Sequence, residues 1–240
     1  MLHKSLFNLI EISIESFVSK TRALFSNGAM KIGILGGTFN PPHLAHLRLA
    51  EEVATSYGLT RVVFIPCHIP PHKISVDIAP ASDRLHMTSI ACENNPLFEV
   101  SDVEIAASGP SYTVNTLETF SKKKDFEIFF ILGTDALKEI SAWKDYQRLF
   151  LLANFIVVTR PGLDFRAAWS EVPAALKNEF HSEGNDFVHE SSTHLIPSHI
   201  KGLNISATWI RDLLREGKSV RYLVTESVRS YIIERKLYRK

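Results

Sequence analysis

Two histidines behind a glycine-rich turn are the residues of this chain best suited to chemistry. The short apolar run Ile32–Leu35 is typical of a buried strand, and Gly36 and Gly37 end it. His43 and His46 follow with a spacing that puts both on one helix face, pointing back toward the turn. Free backbone N–H groups and the positive end of a helix dipole favour an anion there. The pattern predicts a phosphate site with two imidazoles over it; the alternative is a buried strand and helix with incidental histidines.

The sequence of this turn excludes three better-known sites. GGTFNPPHLAHLRLA contains no GxGxxG, so the dinucleotide fingerprint of dehydrogenases is absent. It contains no GxxxxGK[ST], so it is not a P-loop. Its two histidines lack the spacing and the glutamate of HExxH, which argues against a zinc protease site.

A second anion site is predicted near the C-terminus, in the segment NISATWIRDLL. Ser206 and Thr208 precede or open an amphipathic helix, and Arg211 lies one turn inside it. Hydroxyls, free N–H groups and a guanidinium at a helix N-terminus suit phosphate oxygens. The alternative is a capped helix with a solvated arginine. We expect the two anion sites at opposite ends of one sheet, which requires a substrate with a long phosphate tail.

Two further positions are candidates for binding a nucleotide. Phe126–Leu132 is the most hydrophobic predicted strand, and Gly133 and Asp135 follow it, where a carboxylate suits ribose hydroxyls or simply caps a helix. Lys73 lies in the proline-rich segment CHIPPHK after another strand, so it is a candidate phosphate contact or an ordinary surface lysine.

Alternating strands and helices predict a doubly wound parallel α/β sheet, a single domain over residues 30–240 with C-terminal helices. The predicted strands are 31–35, 61–65, 97–105, 126–132 and 155–159. The pattern predicts exposed side chains for Asp102 and Glu104, a helix cap at Ser111 or Thr113, and a helix near 165–180.

Composition limits the function classes. The chain has 240 residues, is 45% hydrophobic and carries a formal charge of +1, which gives no reason to expect nucleic-acid binding. Two cysteines are too few for a disulfide framework, so we expect a reducing cytoplasm. Irregular spacing indicates solvent-exposed histidines, not a metal site, at His181, His189, His194 and His199.

The first 29 residues need a separate interpretation. Their apolar residues lie roughly on one helical face, but Glu11, Glu15 and Lys20 interrupt any membrane span or signal peptide. We interpret them as an N-terminal extension, either an amphipathic helix or the product of a start assigned too early, since Met30 stands directly before the first strand.

The turn GGTFNPPHLAH resembles the GGTFDPPHxGH form of the nucleotidyltransferase signature, with Asn40 in place of Asp and Ala45 in place of Gly. Six more segments resemble, in order, the blocks of bacterial nicotinate mononucleotide adenylyltransferases, and together they cover the chain from Lys31 to about Leu237. They are FIPCHIPPHK, DRLHMTSIA, GPSYTVNTL, FILGTDALKEISAW, VVTRPG and ISATWIRDLLREGKSVRYLVTESVRSYI. SYTVNTL and PPHK distinguish this family from pantetheine-phosphate and glycerol-phosphate relatives.

The resemblance implies a Rossmann-like nucleotidyltransferase that joins nicotinate mononucleotide and ATP, with Mg²⁺, into deamido-NAD and pyrophosphate in NAD biosynthesis. Its partners would be these two small molecules, without nucleic acid or membrane, and a homo-oligomer is possible. Three alternatives stay open: a nicotinamide mononucleotide enzyme, an adenylyltransferase for another phosphate acceptor, and a nucleotide-binding regulator without catalysis.

The resemblance also implies roles for individual residues. The catalytic residues would be His43, His46 and Arg211. ATP would contact Gly36, Gly37, Thr38, Phe39, His43, His46, Gly133, Asp135, Ile205, Ser206, Thr208 and Arg211. The mononucleotide would contact Asn40, Lys73, Ser111, Tyr112, Thr113 and Trp143, with Thr38, Asn40 and Lys73 near its phosphate, Trp143 stacked on its pyridine ring and Thr113 near its carboxylate. No metal is expected to be held by the protein itself.

Overall fold

The computed structural model describes residues 29–70, 78–107, 109–122, 125–159 and 164–239. The predicted N-terminal extension therefore lies outside the described residues except for its last position. The described residues form an α/β fold with one central sheet and helices on both of its faces.

Eight strands form the sheet. They are β1 (Met30–Gly37), β2 (Arg61–Pro66), β3 (Phe98–Val100), β4 (Phe126–Gly133), β5 (Asn154–Thr159), β6 (Phe180–Glu183), β7 (Asp186–His189) and β8 (His194–His199). Their order across the sheet is β3-β2-β1-β4-β5-β8-β7-β6. The pairs from β3 to β8 are parallel, and β7 pairs antiparallel with both β8 and β6.

The helices of the described residues connect these strands or follow them. They are α1 (Leu44–Tyr57), α2 (Ala81–Cys92), α3 (Val103–Ala106), α4 (Thr113–Ser121), α5 (Thr134–Lys138), α6 (Tyr146–Leu152), α7 (Phe165–Glu171), α8 (Ala174–Lys177), α9 (Ala207–Arg215) and α10 (Glu226–Glu234). A 3-10 helix at Ile140–Ala142 separates α5 from α6.

Burial on both faces explains the continuous apolar strands. Consecutive side chains of a strand point to opposite faces. Phe130 of β4 accordingly joins one core cluster, together with Leu117 of α4, whereas its neighbour Phe129 joins the cluster on the other face, together with Val53 of α1. A third cluster packs α9 and α10 against α2 and Ala45. The C-terminal helices thereby reach the start of α1.

The strand order reverses between β1 and β4, the two central strands that the sequence placed before glycine-containing turns. β1 pairs with β2 on one side and with β4 on the other, all parallel. In open α/β sheets ligands bind at the carboxyl ends of the strands where the order reverses. This topology places the candidate site beyond Gly37 and Gly133.

The structure corrects the predicted sheet on its far edge. The strands are not all parallel, because residues 180–199, where no strand was predicted, form the antiparallel pair β6 and β7 and then β8, which pairs antiparallel with β7 and parallel with β5. Two short helices, α7 and α8, occupy the range near 165–180 for which one helix was predicted. The strands β6 to β8 are short and rich in polar residues, so they contain too few apolar positions for an alternating strand pattern to be recognised in the sequence.

Two predictions about exposure are wrong. The predicted strand 97–105 ends at Val100, and Glu104 lies partly buried in the one-turn helix α3. His189 is only 4% exposed, because its Nε2 lies 3.0 Å from Glu179 Oε2 and its ring stacks on Phe150. Burial of a histidine needs such partners, and they come from distant parts of the sequence.

Within the part of the chain that the structure covers, every helix is too short or too polar to cross a bilayer.

Candidate active site

The glycine-rich turn leads from β1 into α1 with both histidines at the start of the helix. His43 is the residue before α1, and His46 is in its first turn. The His43 backbone N–H donates to His46 Nδ1 over 3.2 Å, and the two rings stack with centroids 3.6 Å apart and planes 19° apart. The structure therefore brings both imidazoles together, as their spacing predicted.

Phe39 supports His46 from the turn. Its φ of 46° lies in the left-handed region. Its ring packs edge-on against the His46 ring, with centroids 5.1 Å apart, and at a tilt against the Phe64 ring, with centroids 5.8 Å apart. A Cβ at Gly37 would lie 3.1 Å from the Phe39 ring, so glycine leaves room for this packing. Phe39 is thus a buried support for the imidazole, with 3% of its surface exposed.

The second predicted anion site lies beside the first. Ser206 precedes α9 and its Oγ accepts from the Trp209 N–H over 3.2 Å, so Ser206 caps the helix, which was part of the alternative interpretation. Arg211 donates from Nη1 to the Asn40 carbonyl oxygen at 2.9 Å and from Nη2 to Thr208 Oγ1 at 3.3 Å. Its Nε is buried and has no hydrogen-bond partner among the described residues.

This arrangement corrects the expectation that the two anion sites lie at opposite ends of the sheet. Arg211 touches the glycine-rich turn itself, because α9 packs in the same cluster as Ala45 at the start of α1. The Arg211 guanidinium and the Thr208 hydroxyl that it contacts therefore lie beside the turn that leads to both histidines. Adjacent sites suit the consecutive phosphates of a single triphosphate.

Asn40 is held firmly within the turn. Its side chain is 5% exposed, and Oδ1 accepts from the Ala79 N–H at 3.0 Å and from the Tyr238 hydroxyl at 2.8 Å. Burial raises the pKa of Tyr238, so its hydroxyl stays protonated and donates. The peptide bond between Asn40 and Pro41 is cis.

A cavity of about 330 Å³ adjoins the glycine-rich turn. Thr38 and Gly37 line it, together with Thr113 and Trp143. Other predicted site residues in its lining are Gly36, Ser111, Tyr112 and Asp135. The structure thus brings the predicted ring-binding residues together, and it places Asp135 with them.

Trp143 and the start of α4 both contribute to this lining. Trp143 follows the 3-10 helix, and its ring meets Phe130 edge-on at 6.2 Å and 88°. Tyr112 is the residue before α4, and no side chain caps that helix, so the predicted cap at Ser111 or Thr113 is wrong. Ser111 Oγ accepts instead from the His68 N–H at 2.8 Å. The first N–H groups of α4 are left without a side-chain cap beside the cavity.

Known proteins share both the sequence and this fold. A profile of the family described as "Cytidylyltransferase-like" matches residues 34–213. A "Probable nicotinate-nucleotide adenylyltransferase" of Desulfatibacillum aliphaticivorans is 43% identical over 216 residues, which cover 87% of this chain and 100% of the relative. Its namesake in Geotalea uraniireducens is 42% identical, with coverage of 87% and 98%. The chain belongs to the nicotinate-nucleotide adenylyltransferase family.

A solved structure supports the fold of this family member. It is described as Plasmodium falciparum nicotinic acid mononucleotide adenylyltransferase complexed with NaAD, and it matches with a TM-score of 0.67 at 20% identity. The match covers 87% of this chain and 97% of that chain. At this identity the likeness shows the fold alone.

Arg84 is a site-supporting residue of this family member that the sequence analysis missed. It lies on α2, is 1% exposed, and donates to three backbone carbonyl oxygens: to Thr38 at 2.9 Å, to His68 at 2.8 Å and to Ala79 at 3.0 Å. The guanidinium thereby joins the glycine-rich turn to both ends of the segment after β2. An arginine among apolar helix residues was the available signal, since buried arginines need fixed partners.

Glu104 and Lys144 also line the cavity and were not predicted. The Glu104 carboxylate accepts from Thr116 Oγ1 at 2.6 Å. Burial raises the pKa of the Glu104 carboxyl, and the hydrogen bonds from Thr116 and Ser111 oppose that shift. Lys144 is exposed, and its Nζ lies 4.7 Å from the centroid of the Tyr112 ring.

The remaining predicted residues are distributed around these features. Gly133 ends β4, and Ile205 is buried with α9 and α10. Lys73 and the segment Arg160-Pro161-Gly162 lie outside the described residues.

Proposed function

We propose that this protein transfers the adenylyl group of ATP to nicotinate mononucleotide, which gives deamido-NAD and pyrophosphate in NAD biosynthesis. One observation carries the proposal. The glycine-rich turn has the stacked histidines and Arg211 against it, and Gly36, Gly37 and Thr38 also line the ring cavity. A mononucleotide with its ring in that cavity has its phosphate close to the turn. The names of the relatives point to the same reaction.

The chemistry requires positioning and charge stabilisation from the protein. A 5′-phosphate oxygen of the mononucleotide attacks the α-phosphorus of ATP in line, and the bond from that phosphorus to the bridging oxygen of the β-phosphate breaks. Pyrophosphate leaves with the electron pair. Since the attacking phosphate is already nucleophilic, the reaction requires no serine, cysteine or dedicated base. The stacked imidazoles and the guanidinium beside the same turn match this demand.

The histidines and the start of α9 then bind different phosphates of ATP. His43 and His46 hold the ATP phosphates and the charge that develops at the α-phosphoryl group. Ser206, Thr208 and Arg211 hold the β- and γ-phosphates, which become the leaving pyrophosphate. The buried Nε of Arg211, which has no hydrogen-bond partner within the described ranges, is a donor available for this purpose.

For the other predicted contacts, we propose the same roles as the family resemblance implies. Gly133 and Asp135 bind the adenosine ribose, although the place of Asp135 in the cavity lining also suits the ribose of the mononucleotide. Thr38, Asn40 and Lys73 are the candidates for the mononucleotide phosphate. Gly36, Gly37, Phe39 and Ile205 shape the ATP site around them.

The nicotinate ring stacks on Trp143, and its carboxylate meets the start of α4 near Thr113. The absence of a side-chain cap leaves N–H donors and the positive end of the helix dipole for that carboxylate. A carboxamide would direct an NH₂ group toward at least one of these donors, which leaves buried donors unpaired at about 1–3 kcal/mol each. We expect a preference for the acid on the order of 10²–10⁴-fold in kcat/KM.

Members of this family use a divalent metal with ATP, and we propose that it is Mg²⁺. The described residues contain no group of three histidine, cysteine, aspartate or glutamate side chains arranged to hold a metal ion. We therefore propose that the ion arrives bound to the triphosphate, whose phosphate oxygens are its preferred ligands. The cytoplasmic location, the lack of nucleic-acid and membrane partners and a possible homo-oligomer stay predictions.

Pyrophosphate release tests the proposal. The purified protein with ATP and Mg²⁺ is offered nicotinate mononucleotide, nicotinamide mononucleotide or phosphopantetheine in turn. Release with the first and little with the others supports the proposal. If kcat/KM for nicotinate mononucleotide equals that for nicotinamide mononucleotide, or is lower, both the ring-pocket assignment and the choice of the acid are overturned. Release only with phosphopantetheine would indicate a different acceptor, and no release with any acceptor would favour a nucleotide-binding regulator.

A further inference from the structure

The charges that line the ring cavity are unbalanced. Three carboxylates belong to its lining in the described residues, those of Glu104, Asp135 and Glu139, and Lys144 contributes the one cation. A carboxylate substrate entering such a cavity meets like charges, which disfavour it. The proposed preference for nicotinate therefore needs a compensating positive charge beyond the N–H donors of α4.

Lys144 is placed to supply that charge. It follows Trp143 directly, and its Nζ lies over the Tyr112 ring at 4.7 Å from the centroid. Tyr112 is the residue before α4, so the ammonium extends from the tryptophan side of the cavity to the helix start. An ammonium over an aromatic face is held there by the ring quadrupole.

Among the residues that the structure describes, the ammonium has no ion-pair partner that would neutralise it. The ion pairs given by the described residues include those of Lys138 and Lys218 but none of Lys144. A cation on an aromatic ring keeps its full charge and three N–H donors for a further ligand. An anionic group between Trp143 and α4 is the ligand that this position suits.

We propose that Lys144 is a specificity-determining residue, whose ammonium selects the nicotinate carboxylate over the uncharged carboxamide. The inference rests on the proposed function and deepens it. Stacking, ribose and phosphate contacts are common to both mononucleotides, so they do not discriminate between them. A charge in the ring cavity acts on the acid alone. The N–H donors of α4 align the carboxylate, and Lys144 offsets the field of the three carboxylates.

The central experiment compares both substrates in Lys144→Met. We expect kcat/KM for nicotinate mononucleotide to fall about tenfold, which corresponds to about 1.4 kcal/mol. The value for nicotinamide mononucleotide should change by less than about twofold, and KM for ATP should stay the same. Lys144→Arg keeps a cation that sits well on an aromatic face, so it should retain most of the preference. Lys144→Gln should behave like Lys144→Met.

Salt and a matched lysine provide the controls. Lys138 is a nearby cation that pairs with Glu171 and does not line the cavity. Lys138→Met should therefore leave kcat/KM for both mononucleotides unchanged. Added salt screens an exposed charge. Raising KCl from 0.05 to 0.5 M, on the order of a threefold shorter screening length, should reduce the acid preference of the wild type but not that of Lys144→Met.

The outcomes separate this inference from the proposed function. A wild type that releases no pyrophosphate with either mononucleotide refutes the function itself. A wild type that prefers the acid, with the same preference in Lys144→Met, overturns the role of Lys144 alone. An equal loss for both substrates also overturns it, because a general support of the ring would act on acid and amide alike.

Discussion

Replacing Arg84 by methionine should destabilise the fold and the site together. The guanidinium is buried and supplies three N–H donors to the carbonyls of Thr38, His68 and Ala79. Methionine has a similar length but donates no hydrogen bond. The substitution therefore leaves three carbonyl groups to find water or stay unpaired, and it releases the glycine-rich turn from the segment after β2.

The hydrogen bonds set the expected magnitude. A buried group left without its partner costs about 1–3 kcal/mol. Removing a buried charge recovers some desolvation energy, so the lower end of that range applies to each of the three bonds. We expect the free energy of unfolding to fall by about 3 kcal/mol. Lysine keeps a charge but lacks the planar fork, so Arg84→Lys should recover less than half of the loss.

Urea unfolding followed by tryptophan fluorescence measures this change, since a shifted midpoint at constant slope reports stability. Arg61→Met is the matched control. Arg61 forms a solvent-exposed ion pair with Glu99 at 2.6 Å, so its removal should cost less than about 1 kcal/mol. In conditions where Arg84→Met remains folded, its kcat/KM should fall about 10²-fold, because the displaced turn no longer aligns the phosphates.

Two results would refute this reasoning. Arg84→Met could unfold at the same urea concentration as Arg61→Met, which would mean that water replaces the guanidinium without cost. It could also lose stability yet keep full activity when folded. The turn would then hold its geometry without Arg84, and the residue would only stabilise the core.

Three further predictions concern His46, the start of the chain and Glu104. His46→Ala should lower kcat roughly 10²-fold or more with a smaller change in substrate binding; normal turnover in a stable variant would exclude it from the mechanism. A chain starting at Met30, where β1 begins, should fold and keep its activity, and loss of soluble expression or turnover would show that the extension contributes. The raised pKa of Glu104 means that its carboxyl group binds a proton more tightly in the folded protein than in the unfolded chain. Protonation of Glu104 therefore contributes to the free energy of unfolding at low pH, and this contribution is lost as pH rises from about 4.5 through the raised pKa. Glu104→Gln should therefore flatten the fall in unfolding free energy over that pH range, and an unchanged slope in urea titrations would contradict the assignment.

The central half of the fold was predictable because its signals are local. β1, β2, β4 and β5 are short apolar runs that end at glycine, proline or polar residues, and each lies within a residue or two of its predicted range. The histidine turn and the α9 start were predictable for the same reason. Their caps, spacing and turn residues all lie within a few positions of one another.

The rest depends on contacts between distant segments. The sequence predicted an exposed Glu104, because a single-turn helix is too short to show a helical period of apolar residues. In the structure Glu104 is partly buried where it accepts a hydrogen bond from Thr116 of α4. Lys144 meets Tyr112 across the cavity, and that pairing depends on how α4 and the 3-10 helix pack. The adjacency of the two anion sites likewise follows from tertiary packing, since Arg211 and Asn40 are 171 positions apart.

The departure of Asn40 from the family pattern can be understood through the groups that hold the turn. Its Oδ1 accepts from the Ala79 N–H and the Tyr238 hydroxyl, and its backbone carbonyl accepts from Arg211. An aspartate would offer the same acceptor oxygen, so asparagine preserves both side-chain contacts while it removes one negative charge. That removal matters beside a space proposed for phosphates, because like charges repel at short distance. Segments 39, 171 and 198 positions away thus fix the turn before substrate arrives. A reaction that requires only alignment and charge stabilisation gains its rate from such fixed donors.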